Sequence, residues 1–324
     1  MLFILLGLAV IGTVLSLCVG AVSIAPGELL RVLSGENTTP SVRQILLYVR
    51  LPRTCGALLA GMALAVSGTL IQTVLANPLA APNIIGVNAG AGLGVALCGA
   101  LFPFATALVP LAAFCGALLG VLFVLAISER AGASRLTLVL SGVAVSSIFG
   151  AGIDLIVTLA PEALTGYSDF RIGGLGNLTL SRLVLPAGII LSELPLLMLL
   201  TNELDVLALG SETAQSLGLP ARRLRILLHA AAAALAGAAV SFSGLLGFIG
   251  LLSPQIVRRL VGEESRFLLP GAALGGASLL LLSDVCARTL FAPFELPVGV
   301  VLSLLGGPFF LWLLFRQRGG RTHD

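Results

Sequence analysis

The sequence contains no lysine; all 18 of its basic residues are arginine. A P-loop needs a lysine on the transferring phosphates, and a Schiff-base enzyme needs an amine, so neither chemistry can be built from this chain. Charge of either sign is scarce. Only 10% of the 324 residues are charged, against roughly 25% in an average soluble domain. Histidine is limited to His229 and His323, and the five cysteines (Cys18, Cys55, Cys98, Cys115 and Cys286) show no C-x-x-C spacing. An intramembrane enzyme is therefore left without a metal-ligand cluster and without a base beside a nucleophile. The cysteines read as small hydrophobes. The net charge of +3 is spread over short loops, so the basic patch that nucleic-acid binding requires is also missing.

What is abundant is apolar sequence, 57% of the chain. It recurs in runs of about 20 residues, the length that spans a bilayer. Runs bounded by charge, Pro or Gly lie near residues 2–22, 54–76, 84–102, 104–127, 136–160, 183–200, 225–243, 245–261, 268–287 and 297–315. Ten spans in a single all-α membrane domain, residues 1–324, are expected. No basic region precedes the run from Met1 to Gly20, and Leu17-Cys18 makes a poor lipobox, so this run reads as a first span and not as a cleaved signal. With the N-terminus inside, cytoplasmic segments hold 11 arginines and outer segments 7. The positive-inside rule then puts both termini in the cytoplasm. Four of the outer seven (Arg31, Arg43, Arg50 and Arg53) cluster in the outer segment, residues 23–53.

Small residues at i, i+4 spacing, such as Gly56-x3-Ala60, Gly90-x3-Gly94 and Gly116-x3-Gly120, predict close helix packing without help from water. The cytoplasmic segment 201–223 predicts a short helix, with Ser211 as N-cap, Glu212 in its first turn, and Gly218 then Pro220 as a stop. Ala214, Leu217 and Leu219 would give it an apolar face, which calls for a partner. A faint echo between residues 50–80 and 222–257, running in opposite directions, is compatible with an inverted repeat. Asp154, Glu193 and His229 fall inside spans, where ionisable groups are functional candidates by default. A proton-coupled secondary transporter using Asp154 and Glu193 is therefore the rival reading.

Four blocks carry more information. They are RLPRTCGALLAGMALAVSGTLIQTVLANPLAAPNIIGVNAGAG (Arg50–Gly92), LALGSETAQSLGLPARRLR (Leu207–Arg225), SGLLGFIGLLSPQIVRRLVG (Ser243–Gly262) and LLLSDVCARTLFAPFELPVGVVLSLLGGPFFLWLL (Leu280–Leu314). In this order and spacing the chain resembles the FecCD-type permeases, the membrane subunits of ABC importers for ferric siderophores, haem and cobalamin. An oxyanion cargo such as molybdate is a smaller possibility.

The resemblance implies a type II ABC importer permease that pairs with a second permease copy, most simply as a homodimer, or with a homologue. Two separate ATPase subunits would carry ATP and Mg, and a periplasmic or lipid-anchored binding protein would deliver the cargo. No cofactor or metal is expected on this chain, which would sit in a bacterial inner membrane. The resemblance also implies residue roles. Arg50, Arg53 and Arg288 would receive acidic residues of the binding protein, although Asp284, four residues before Arg288, offers that arginine a partner on its own helix. Asn77 and Leu79 would form a cytoplasmic gate, with a second gate element near Ser134 to Thr137. Glu212, Ala214, Leu217, Gly218 and Leu219 would belong to the helix that couples to the ATPase. The chain departs from the family pattern at Gln255, where many members carry His, and in lacking a Trp before Gly173-Gly174.

Overall fold

The computed structural model describes residues 1–20, 22–35, 39–132 and 134–319. Arg321, counted above among the cytoplasmic arginines, lies outside the described residues, as do the side chains of Arg316 and Arg318. The described residues are helical and contain no strand. In chain order the α-helices are α1 (Leu2–Cys18), α2 (Pro26–Leu33), α3 (Pro40–Gln44), α4 (Leu51–Leu75), α5 (Val87–Leu101), α6 (Val109–Arg130), α7 (Arg135–Leu159), α8 (Ala163–Ile172), α9 (Leu180–Met198), α10 (Thr201–Ala208), α11 (Ser211–Ser216), α12 (Ala221–Ser243), α13 (Ile249–Val261), α14 (Ser265–Thr289) and α15 (Val298–Gly319).

Each expected span has a helix. Six stretches among the described residues are both long and apolar enough to cross a membrane: Pro40–Leu75, Thr106–Arg130, Arg135–Leu159, Leu180–Met198, Ala221–Ser243 and Ser265–Thr289. Leu2–Cys18, Val87–Leu101 and Val298–Leu313 are apolar but shorter. The helix α13 has only 13 residues, because the chain at 244–248 is not helical.

Residues 40–50, within the expected outer segment, form a helical lead-in to α4, continuous through a π-helical turn at Ile45–Arg50. Pro52 explains the wide turn. Proline has no N–H and its ring crowds the carbonyl four residues back, here Tyr48, and a turn with i−5 bonding such as Leu51 N–H to Leu46 O makes room for it.

Hydrogen bonds between connections define two ends of the bundle. At one end, Gly174 N–H donates to Ser243 O at 2.8 Å and Leu245 N–H to Phe170 O at 2.9 Å, which gathers α8 and the start of α13. At the other, Ser265 N–H donates to Asp205 Oδ1 at 2.8 Å and Arg222 Nε to Glu129 Oε2 at 2.7 Å, which ties α10 to the start of α14 and the end of α6 to the start of α12.

Between the ends, α4 is the central column and packs on α12, α13 and α14. Its apolar window is 83% buried, whereas that of the peripheral α9 is 22% buried. The contacts are backbone on backbone. A Cβ placed on Gly61 would overlap the Gly276 carbonyl, and one on Gly68 the Gly250 carbonyl. Such approach lets dispersion and interhelical polar contacts hold helices together where lipid removes the hydrophobic drive.

Gly61→Val should therefore destabilise the chain by about 3 kcal/mol or more, because the clash is with main chain that cannot swing aside. Gly7→Ala, which meets nothing within 4 Å, should change stability by less than about 0.5 kcal/mol. Thermal unfolding of both variants in detergent checks this, and equal behaviour would refute the packing account.

Candidate functional site

Three arginines converge at the α8 end, and none of them is a free rim charge. Arg50, Arg53 and Arg288 are 4%, 6% and 4% exposed. Arg53 Nε donates to both oxygens of Asp284 at 3.0 and 3.1 Å, and its Nη1 donates to Glu295 Oε2 at 2.6 Å. Arg288 pairs with Asp284 Oδ2 at 3.2 Å, so the pairing four residues along α14 is present. Its Nη2 also donates to the Ser16 carbonyl at 3.2 Å and hydroxyl at 3.1 Å. Arg50 donates to the carbonyls of Leu17 and Val22. Gly20 lies against both Arg50 and Arg288, where a Cβ would sit 3.2 Å from the Arg50 guanidinium.

All three, expected to meet a partner, are engaged within the chain by its own carboxylates and carbonyls. They clamp α1, α4 and α14 together around Asp284, which is fully buried. Sequence could not reveal this because Asp284 and Glu295 lie 231 and 242 residues from Arg53. Arg53 alone lines an open cavity of about 370 Å³, shared with Asp169, Arg182 and Glu295.

At the opposite end, α4 stops at Ala76, which is left-handed at φ 42°. Asn77 follows, and its Oδ1 accepts the Leu79 N–H at 2.9 Å, an Asx turn that Pro78 reinforces. This turn separates two cavities. One, of about 680 Å³, has Asn77 and Pro78 in its wall with Gln72, Gln255, Arg258 and Arg259. The other, of about 320 Å³, has Leu79 in its wall with Asn83, Asn88, Phe248 and Phe310.

Gln255 pins the turn, its Nε2 donating to Pro78 O at 2.7 Å and to Gln72 Oε1 at 3.3 Å, while Gln72 Nε2 donates to Gly250 O at 3.2 Å. Phe248, φ 66°, is with Ala76 one of two left-handed non-glycine residues among those described. Both flank this turn, and such strain gathers where structure is meant to move. Two glutamines inside apolar runs were the signal that sequence reading left unused, apart from noting Gln255.

The expected second gate element is an N-cap, with Ser134 Oγ accepting Thr137 N–H at 3.0 Å. His229, two turns into α12, lies nearby in the wall of the same small cavity as Ser134. Its Nδ1 contacts the Arg225 carbonyl at 2.6 Å, and its Nε2 has no hydrogen-bond partner among the described residues.

The coupling segment is partly corrected. Gly210, φ 111°, precedes α11, so Ser211 is its first residue and not its cap; the Ser211 side chain lies outside the described residues. Gly218 ends the helix as read. At φ 86° it lets Leu219 N–H reach Ala214 O at 3.0 Å, a Schellman closure. Ala214 is fully buried and Leu219 half-buried, because a helix this short rests on α10 and α12 with its small side chain inward. The exposed apolar residues are Leu217, 63% exposed, and Leu209, 66% exposed; sequence reading missed the second. Glu212 is exposed beside them.

Asp154 and Glu193 are not brought together. Asp154 is exposed on α7, five residues from its α8-end terminus, and Glu193 is half-buried on α9, five residues from the opposite end.

Asp284→Asn should cost about 3–5 kcal/mol, because it leaves the buried Arg288 guanidinium without a counter-charge and Arg53 with Glu295 alone. Glu295→Gln, at a side chain 43% exposed, should cost less than about 1 kcal/mol. Denaturation midpoints of the two variants decide, and comparable losses would contradict a cluster centred on Asp284.

Comparison with known proteins agrees with this architecture. Residues 8–316 match the FecCD transport family. The chain is 40% identical to the hemin transport system permease protein HmuU of Yersinia pestis, over 99% of this chain and 97% of that protein. It is 36% identical to the Fe(3+) dicitrate transport system permease protein FecC of Escherichia coli, over 93% and 92% of the two chains. A solved structure described as an inward-facing conformation of a putative metal-chelate type ABC transporter superposes with a TM-score of 0.84 at 30% identity, over 97% of this chain and 98% of that one. The chain belongs to the FecCD transport family, whose members are permease subunits of ABC importers and not enzymes.

Proposed function

We propose that this chain crosses a bacterial inner membrane ten times with both termini in the cytoplasm. Two copies then form the pathway of an importer for a bulky metal chelate. In this reading the α8 end faces outward and receives the cargo from a binding protein. The α11 end faces two ATPase subunits, which hold ATP and Mg. The observation that carries the reading is the family match across residues 8–316, with relatives matched nearly end to end.

Alternating access would move the Asn77–Leu79 turn between its two cavities. Leu209 and Leu217 would dock the ATPase, with Glu212 at the edge and Ala214, Gly218 and Leu219 shaping the helix that carries them. At the outer face Arg53 is the arginine a docking carboxylate can reach, by displacing Glu295 from the cavity wall; Arg50 and Arg288 hold it in place. Haem and ferric siderophores are the favoured cargoes, since relatives matched nearly end to end are named for hemin and ferric citrate, with cobalamin a further candidate.

The separation of Asp154 from Glu193 weighs against an ion-coupled relay, which needs its carboxylates in reach of one another or of bridging groups. Vesicles containing this chain, the ATPase and the binding protein should take up haem or ferric citrate only with ATP inside the ATPase compartment, and Asp154→Asn with Glu193→Gln should leave that uptake intact. Uptake by the lone chain without ATP would overturn the proposal.

Leu217→Glu should weaken association with the ATPase roughly tenfold or more, since a charge must then be buried at the contact. It should leave thermal stability unchanged because the side chain touches solvent. Pull-down of the ATPase by the tagged variant measures the first effect and a melting curve the second.

A further inference from the structure

The 680 Å³ cavity beside the Asn77 turn holds charges that the gate itself does not use. Arg258 and Arg259 both line it. The Arg258 Nε is buried and has no hydrogen-bond partner, and no ion pair involves Arg258 among the described residues. Arg258 is half-buried, with its Nε closed to solvent and the rest of the side chain in the cavity wall near Glu263. The closed Nε N–H is left without a hydrogen bond, which is costly, and an anion in the cavity would meet the guanidinium through its Nη nitrogens. The single acidic residue lining the cavity is Glu263, which is exposed. Two guanidinium groups against one carboxylate leave an excess positive charge. The Asn77 amide adds a neutral donor, because Leu79 N–H occupies only its oxygen.

We propose that this cavity binds an oxyanionic group, a carboxylate or a phosphate, with Arg258 as its principal contact and Arg259 as its second. Planar guanidinium forks suit both groups. Because the cavity shares Asn77, Pro78 and Gln255 with the pinned turn, an anion held there sits against the gate. A leaving chelate that carries carboxylates would be held briefly at this point before release. That choice of source rests on the importer reading, whereas the binding itself does not.

A reporter lies beside the site, against one of its lining residues. Trp312 is the sole tryptophan of the chain, and the Arg259 guanidinium lies over its ring, 5.2 Å from the centroid. Full-length chain purified in a neutral detergent, titrated with citrate and separately with inorganic phosphate, should show a saturable change in Trp312 emission. Arg258→Gln should weaken the response roughly tenfold or more, equivalent to about 1.4 kcal/mol, and Arg258→Lys should restore part of it. Calorimetry with Trp312→Phe checks that the ring reports binding without causing it.

No saturable response to either anion, or equal responses in the wild type and Arg258→Gln with both variants folded, would overturn the proposal. Nanodiscs with and without phosphatidylglycerol separate the sources. Citrate binding that persists in both assigns the site to a soluble carboxylate, and citrate binding abolished by the anionic lipid assigns it to a headgroup phosphate. ATP-driven uptake with a Trp312 blind to anions would sink this inference alone; anion binding by a chain that needs no ATP would sink the importer reading alone.

Discussion

The structure depends on how closely backbone can approach α4. At Gly61 and Gly68 the neighbouring helices α14 and α13 come so near that no side chain fits between them. In water such contacts would be a detail beside the burial of large apolar side chains. In a bilayer, leucine gains little by leaving lipid for protein, so close approach and interhelical polar contacts must supply the cohesion. A column held in this way on three sides is rigid along its length, and both functional regions hang from its ends. Arg50 and Arg53 stand at its start and the Ala76–Leu79 turn at its finish. A displacement at one end therefore has a stiff element through which to be felt at the other.

The arginine cluster follows from the same setting. Lysine buried in a low-dielectric site can give up its proton, while arginine stays charged, and this chain has only arginine. Each buried guanidinium must therefore be matched by carboxylates and carbonyls, and Asp284 with the carbonyls of Ser16, Leu17 and Val22 does so. Such a cluster is weak evidence for net stability, because desolvating its members offsets much of their attraction. What it supplies is register, since α1, α4 and α14 can meet those partners in only one arrangement.

Much of this was legible in the sequence and some was not, for identifiable reasons. Apolar runs located the helices because a span must be apolar along its whole length. The four ordered blocks located the Asn77–Leu79 turn and the short helix α11 because Pro and Gly mark chain reversals locally. The pairing of Arg288 with Asp284 was legible because it follows from helical spacing. The bond from Arg53 to the same carboxylate was not, because it spans 231 residues and no periodicity encodes it. The same holds for Ala214. Its place on a short helix was readable, but which face of that helix meets α10 and α12 is a tertiary fact. The helical lead-in at residues 40–50 was not legible, because residues 23–53 read only as an outer segment and the π turn that accommodates Pro52 leaves no composition signal.

The Asn77–Leu79 turn, proposed above as the gate, would have to combine opposite requirements. A turn that must move cannot be fixed by backbone contact, and a turn that must seal cannot be left free. Here the seal rests on a few amide hydrogen bonds, from Gln255 to Pro78 and to Gln72, and from Gln72 to Gly250. Each is worth about 1 kcal/mol net, so together they amount to a few kcal/mol, within reach of what a docking partner can supply. The left-handed residues Ala76 and Phe248 work against those bonds, since each costs about 1–2 kcal/mol in a backbone shape that L-residues avoid. Strain and latch are of similar size, so neither fixes the turn in one position. In the proposed mechanism, that near-balance would let a push at Leu209 and Leu217, carried through α10 and α11, decide which side of the turn is open.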